Sequence, residues 1–271
     1  MALSSVLVFS VLAASRPMPF LMSVQAWTFN RFTAYEAVEK ASQAGAKYIE
    51  FFPGQALKPG SKSGMGPGLT SDEVSDLKNH LKKYGVTPVA YGVTGIDTDY
   101  AKAKPLFAWA KEMGLKVINT ESAESIDTIE KLVKEFDISV GFHNHPKRDN
   151  DPKYTMWDPN YIYGLVKNRD RRIGSCADTG HWVRSGIKPV DALTALHGRI
   201  VSSHLKDLNE FAPGAHDMPY GNGVSDVPAI LSFYDKIGMK GSVSVEYEHN
   251  WDTNVTEVAQ CIGFVRGIYG R

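Results

Sequence analysis

Short apolar runs and longer helix-patterned stretches alternate along this chain from residue 22 to its end. The runs Met22–Trp27, Tyr48–Phe52, Val86–Tyr91, Leu115–Asn119, Ile138–His143, Ile173–Ala177, Arg199–Leu205 and Ser242–Tyr247 have the length and composition of strands. Between them, Tyr35–Ala44, Tyr100–Met113, Ser125–Phe136, Tyr161–Lys167, Val190–Leu196, Val227–Lys236 and Val255–Ile268 predict helices. Another helix follows the second strand, with Ser71 or Asp72 as its cap and Glu73 and Asp76 in its first turn. Eight strand–helix units in about 250 residues are the dimensions of a (β/α)8 TIM barrel, an α/β fold built on a parallel sheet. A doubly wound open sheet usually carries a glycine-rich phosphate turn after its first strand. Here that strand leads into AWTFNRFT, which has none. No composition shift divides the chain, so a single barrel domain is predicted over residues 21–271.

Two connections are long: FPGQALKPGSKSGMGPGLTSD after the second strand and NEFAPGAHDMPYGNGVSD after the seventh. Loops of this length in compact domains are often functional, and the first is a candidate lid. His216 and Asp217, in the second, read as members of a solvated loop.

Alternation within the strands sorts the side chains by face. In the eighth strand Val243, Val245 and Tyr247 face the helices, which turns Ser244, Glu246 and Glu248 toward the barrel axis. The same parity puts Gly141, His143 and His145 inside from the fifth strand, and Gly174, Cys176 and Asp178 from the sixth. Ser202, His204 and Lys206 point inward from the seventh. His143, Asp178, His204 and Glu246 therefore converge at the C-terminal ends of successive strands, the active-site end of such barrels. Buried charges need partners, and two imidazoles and two carboxylates around one point suit a divalent cation. Such ligation favours Mn, Zn, Co or Fe over Ca. One ion is expected, Mn foremost, with Zn, Co, Fe or Mg as alternatives.

Each residue alone has a plainer reading. A strand-end histidine is more often an ordinary hydrogen-bonded residue, and Lys206 is as readily an ion-pair partner of Glu246 or Glu248 as a proton donor. Trp27, Glu50, Glu121 and His181 also fall at strand ends or in adjacent loops. Trp27 suits a sugar platform or core packing, and Glu50 suits a bond to a neighbouring strand's backbone as well as to a ligand.

Lys+Arg and Asp+Glu are both 30, giving a formal net charge of zero, which argues against a broad nucleic-acid-binding face. The two cysteines, Cys176 and Cys261, fit no zinc spacing and read as free core thiols. The opening MALSSVLVFSVLAAS resembles the apolar stretch and small-residue end of a secretory signal, without its positive start. Residues 1–20 are thus a candidate signal peptide or an N-terminal extension packed on the barrel. The first predicts a periplasmic or secreted protein, the second a cytoplasmic one. No later segment is long and apolar enough to span a bilayer.

AGAKYIEFF, GFHNHP, CADTGHW, RIVSSHLKD and GSVSVEYE, at strands two, five, six, seven and eight, together resemble the sugar phosphate isomerase/epimerase family of xylose-isomerase-like barrels. The resemblance covers about residues 22 to 268 and implies a metal held by Glu, Asp, His and Glu from the last four strands. The last three match Asp178, His204 and Glu246. The first falls on His143, a departure that removes one of the two glutamates with which such epimerases exchange protons. The His-x-His of strand five is more similar to dehydratases and lyases of keto-sugars and keto-inositols. His181 matches a substrate-contacting position.

The expected chemistry is proton abstraction next to a carbonyl, with the metal as Lewis acid for an enediolate. Glu246, His145 and Lys206 are the catalytic candidates, with Glu248 a further base candidate. Trp27, His181 and Glu248 are the substrate-binding ones. An isomerase or epimerase of a small sugar or keto-sugar is the first reading. A dehydratase or lyase on keto-sugars, keto-inositols or 3-keto-glycosides is the second, and a non-catalytic sugar-binding barrel is the third. A nuclease of the same superfamily would need a multi-zinc cluster with more ligands than the chain places. Neither nucleic acid nor a membrane is an expected partner; a second copy of the chain is an optional one.

Overall fold

The computed structural model of the protein describes residues 16–270. Eight parallel strands close into a barrel in chain order. They are β1 (Leu21–Gln25), β2 (Tyr48–Phe51), β3 (Thr87–Tyr91), β4 (Val117–Thr120), β5 (Ser139–His143), β6 (Ile173–Asp178), β7 (Ile200–Leu205) and β8 (Ser242–Val245). Pairing of β1 with β8, from Leu21 on Ser242 to Val24 on Val245, closes the ring. Around it lie α1 (Ala34–Gln43), α2 (Ser71–Tyr84), α3 (Tyr100–Glu112), α4 (Ile126–Phe136), α5 (Pro159–Val166), α6 (Thr179–Arg184), α7 (Pro189–Ala195), α8 (Val227–Ile237) and α9 (Val255–Ile268). This is the single TIM barrel that the alternating pattern predicts.

Local hydrogen bonds move several boundaries. β1 stops at Gln25 rather than at Trp27, because the Gln25 side chain accepts from the Trp27 N–H at 3.1 Å and starts a 3-10 turn over Ala26–Phe29. The cap of α2 is Thr70, not Ser71 or Asp72. Its hydroxyl accepts from the Glu73 N–H at 3.3 Å, and the Glu73 carboxylate accepts from the Thr70 N–H at 2.9 Å. The short helix α6 was not anticipated. It begins straight off β6, where Asp178 Oδ1 accepts from the His181 N–H at 2.8 Å.

Apolar side chains fill the layer between strands and helices, and Val89, Ala90 and Val117 pack with Leu21, Tyr48 and Val201 toward the N-terminal end of the strands, while the middle of the barrel axis is polar. Ser23 bonds Ser244 at 2.8 Å, Ser244 donates to Glu50 at 2.6 Å, and Ser202 donates to Asn119 at 2.6 Å. The parity assignment holds here: Ser202 lies inside, while Ser203 reaches Tyr234 of α8 at 2.6 Å. Gly141 also faces this interior. A Cβ there would lie 2.5 Å from Asn119 Oδ1 and 2.8 Å from Ser202 Oγ, so the polar layer needs a residue without a side chain.

The long segment after β2 is pinned rather than free. Leu57 and Met65 are buried, and the Tyr91 hydroxyl donates to the Met65 carbonyl at 3.1 Å. Residues 16–20 lie on the barrel, with Arg16 paired to Asp235 at 2.7 Å and Phe20 set edge-on against Tyr234 and Tyr269. Most of the signal-like segment, residues 1–15, lies outside the described residues. Cys176 and Cys261 are buried and free. Among the described residues no helix is long and apolar enough to cross a membrane.

Candidate active site

His143, Asp178, His204 and Glu246 meet at the C-terminal mouth of the barrel, each offering one atom within 4.8 Å of all the others. His143 Nε2 lies 3.5 Å from Asp178 Oδ2, and His204 Nδ1 lies 3.9 Å from that oxygen and 3.1 Å from Glu246 Oε2. Closeness here does not amount to hydrogen bonding. His143 Nε2, Asp178 Oδ2 and His204 Nδ1 are all buried with no hydrogen-bond partner. Three convergent, unsatisfied nitrogen and oxygen atoms are costly in a protein interior unless something binds them together. Metal–ligand bonds of about 2.1 Å put neighbouring ligand atoms roughly 3.0–3.4 Å apart, near the 3.1 and 3.5 Å spacings and shorter than the 3.9 Å one, which would have to contract on binding. The donor set therefore fits a divalent ion.

A carboxylate backs each histidine. Glu50, fully buried on β2, faces His204 Nε2 at 3.0 Å and accepts from Asn119 Nδ2 at 2.7 Å and Ser244 Oγ at 2.6 Å. It bonds side chains across the barrel axis and not a neighbouring strand's backbone, correcting that expectation. Burial pushes the Glu50 carboxyl up, but His204 and the three hydrogen bonds outweigh it and hold the carboxyl below its ordinary value. Behind His143, Glu121 Oε1 lies 3.4 Å from Nδ1, contacts His145 Nδ1, and accepts from the Tyr154 hydroxyl at 3.0 Å. Burial raises the Glu121 carboxyl and the two histidines more than reverse that. With their outer nitrogens on carboxylates, both imidazoles turn the other nitrogen toward the cluster.

Lys206 is wholly buried beside the same cluster. Its Nζ lies 2.9 Å from Asp178 Oδ2, 2.8 Å from Glu246 Oε2 and 2.9 Å from Glu248 Oε2. Only the last contact has hydrogen-bond geometry. Burial lowers the ammonium's pKa, but the three carboxylates raise it well above its usual value. Arg184 of α6 donates to Glu248 at 2.7 Å and to His181 Nδ1 at 3.2 Å, and reaches Asp217 at 3.4 Å. Burial keeps His181 neutral, well below its ordinary pKa. Asp217 is therefore not in a solvated loop: it is 1% exposed and shares Arg184 with Glu248. His216 stays at the periphery, its ring 4.7 Å from that of His249 and tilted by 33°.

Above the cluster opens a cavity of about 300 Å³. Trp27, Phe52, Pro53 and Val93 form one wall, and His143, His145, His181, Glu246 and Glu248 the other. Trp27 is 41% exposed at the rim with its ring edge-on to Phe52 at 5.0 Å, so it is not core packing. The structure brings His143, Asp178, His204, Glu246, Lys206 and Glu248 together and lines the cavity above them with Trp27, His145 and His181. It adds Tyr154 and Arg184, which sequence reasoning missed. Neither carries a local marker: Tyr154 lies in the irregular loop after β5, and Arg184 in a helix too short for periodicity to reveal.

The closed barrel, with a His/Asp/Glu cluster at its mouth that could hold a metal ion, defines a TIM-barrel protein. The chain belongs to the xylose isomerase-like TIM barrel family, whose model matches residues 38–266. It is 29% identical over 121 residues to an inosose dehydratase of Clostridium tetani, a match spanning 42% of this chain and 35% of that enzyme. The structure is similar to an uncharacterized protein from Parabacteroides distasonis, with a TM-score of 0.73 and 28% identity over 92% of this chain and 99% of that one. It also resembles D-allulose 3-epimerase from Methylomonas sp. in complex with D-allulose, with a TM-score of 0.69 and 13% identity over 93% and 98% of the two chains.

Proposed function

We propose that this chain is a divalent-metal-dependent isomerase or epimerase that removes a proton next to the carbonyl of a sugar or keto-sugar. The observation that carries this reading is the set of buried ligand atoms on His143, Asp178 and His204 that make no hydrogen bond, beneath a cavity of sugar size. When bound, the ion would supply Lewis acidity, drawing charge from the carbonyl oxygen as an enediolate forms. Manganese is our first choice.

The chain's own residues handle the proton and the substrate. Glu246 Oε2 is engaged by Lys206 and His204, leaving Oε1 for a substrate proton. His145 Nδ1 is engaged by Glu121, leaving Nε2 for the cavity. These groups rise from β8 and β5, so a proton taken by one can be returned by the other to a different carbon or face. Lys206 Nζ, anchored on Glu248, is the donor to a developing oxyanion. Trp27 is the platform for a sugar ring, and His181 and Glu248 bind hydroxyls.

A second reading, a dehydratase or lyase, is favoured by His143. The resemblance to epimerases calls for a glutamate there, and the chain is similar to an inosose dehydratase. Both reactions begin with the same proton removal. Incubation with keto-sugars, keto-inositols and 3-keto-glycosides plus Mn²⁺ in D₂O, followed by NMR, separates them. Deuterium gain without loss of a group supports isomerisation; release of water or an aglycone transfers the assignment to the lyase. Binding without exchange or metal dependence would leave a non-catalytic sugar-binding barrel. Glu246→Gln is expected to abolish turnover while keeping the melting profile, and full activity in that variant would sink the proton-carrier role.

A further inference from the structure

We propose that Lys206 is a tethered cation that takes up part of the metal's place, keeping the centre folded without the ion and making the ion exchangeable. The inference rests on reading the cluster as a metal centre. Two of the three carboxylates that surround Nζ, those of Asp178 and Glu246, belong to the four residues of that cluster. Nζ approaches both at hydrogen-bond distance yet is aligned only with the third, Glu248. The position is built, not accidental. The Lys206 stem runs against Gly180, where a Cβ would lie 2.6 Å from Lys206 Cδ and 2.7 Å from its Cβ.

Charge then sets the competition. Asp178, Glu246 and Glu248 bring three negative charges, against Lys206 and Arg184. Without Lys206, the metal-free centre would lose the one cation that lies within 3 Å of all three anions, in a place that water reaches poorly. With both cations present, a divalent ion and an ammonium would contend for the same Asp178 and Glu246 oxygens within a few ångströms. The ion wins only by pushing Nζ off those two oxygens, and Glu248 provides the place to which it retreats.

The test uses the full chain, stripped with EDTA, with Mn²⁺ and Zn²⁺ as probes. Wild type should stay folded when stripped. Lys206→Met should melt roughly 10 °C lower when stripped, recover on adding metal, and bind the ion about tenfold tighter by calorimetry. A stripped variant that melts with wild type, or binds metal no more tightly, overturns the role of Lys206 and leaves the metal centre standing. Failure of wild type and variant alike to bind either ion overturns the metal centre itself. Should the variant not fold even with metal, crystals of wild type with and without Mn²⁺ decide. Withdrawal of Nζ beyond about 3.5 Å from Asp178 Oδ2 and Glu246 Oε2 on loading supports the proposal; an unmoved Nζ overturns it.

Discussion

Glu50 does work that no neighbour in sequence announces. Its carboxylate lies below His204, receives hydrogen bonds from Asn119 and Ser244, and sets which imidazole nitrogen faces the cluster. A carboxylate behind a ligating histidine fixes its orientation and raises its basicity, and losing it typically costs 10–100-fold in metal affinity. Glu50→Gln keeps the shape and removes the charge, so Mn²⁺ titration should show binding weakened by about tenfold or more. Unchanged affinity would reduce Glu50 to a packing role. The position of Glu50 at a strand end was legible in the sequence; its partner was not. Parity tells which residues face the axis, but β2 and β7 meet across the interior only once the barrel has closed. The same holds for Glu121, flagged at the end of the fourth strand without sign of the two histidines and the tyrosine it joins.

At the scale of elements, α6 shows how a strand end becomes a site. Asp178 spends Oδ1 capping this helix, which leaves Oδ2 for the cluster. Six residues are too few for helical periodicity, so the helix escaped the sequence pattern. Strands and longer helices were legible because burial imposes their periods of 2 and 3.6 on every turn. Gly180 gives a test in which two effects have opposite signs. Helix propensity alone makes Gly180→Ala stabilising by about 1 kcal/mol. The new Cβ, however, would meet Lys206 at its own Cβ, an atom tied to β7 that cannot swing away. Overpacking of this kind costs about 1–3 kcal/mol. We expect the variant to melt below wild type in chemical or thermal denaturation. A rise in stability would mean that β7 and α6 yield easily.

For the whole molecule, the mouth of the barrel is tied together by charge. Arg184 joins α6 to the end of β8 through Glu248 and to the β7–α8 loop through Asp217 and the Ala215 carbonyl. That loop is braced from within, since the Asp207 carboxylate accepts from the N–H groups of Gly221, Gly223 and Ser225. Burial pushes the Asp217 carboxyl from an ordinary 3.8 up to about 8, despite the nearby Lys206 and Arg184. Between those values folded Asp217 keeps its proton while the unfolded chain has lost it. The folded state then binds more protons, so this group's contribution to stability falls as pH rises, by roughly 1.4 kcal/mol per unit. Glu50, Asp178 and Glu248 are shifted the opposite way, so their stabilisation is fully present only above the ordinary carboxylate range and then stays constant as pH rises further. His204, raised by its surroundings, loses stabilisation with rising pH as well, so the wild-type slope alone cannot isolate Asp217. Asp217→Asn can, because it copies the protonated side chain and cannot ionise. Urea unfolding of wild type and variant from about pH 5 to about pH 8 should show the variant more stable, with a gap widening by roughly 1.4 kcal/mol per pH unit. Parallel profiles would place the Asp217 proton outside the folding equilibrium and give the carboxylate to Arg184 as an ordinary ion pair.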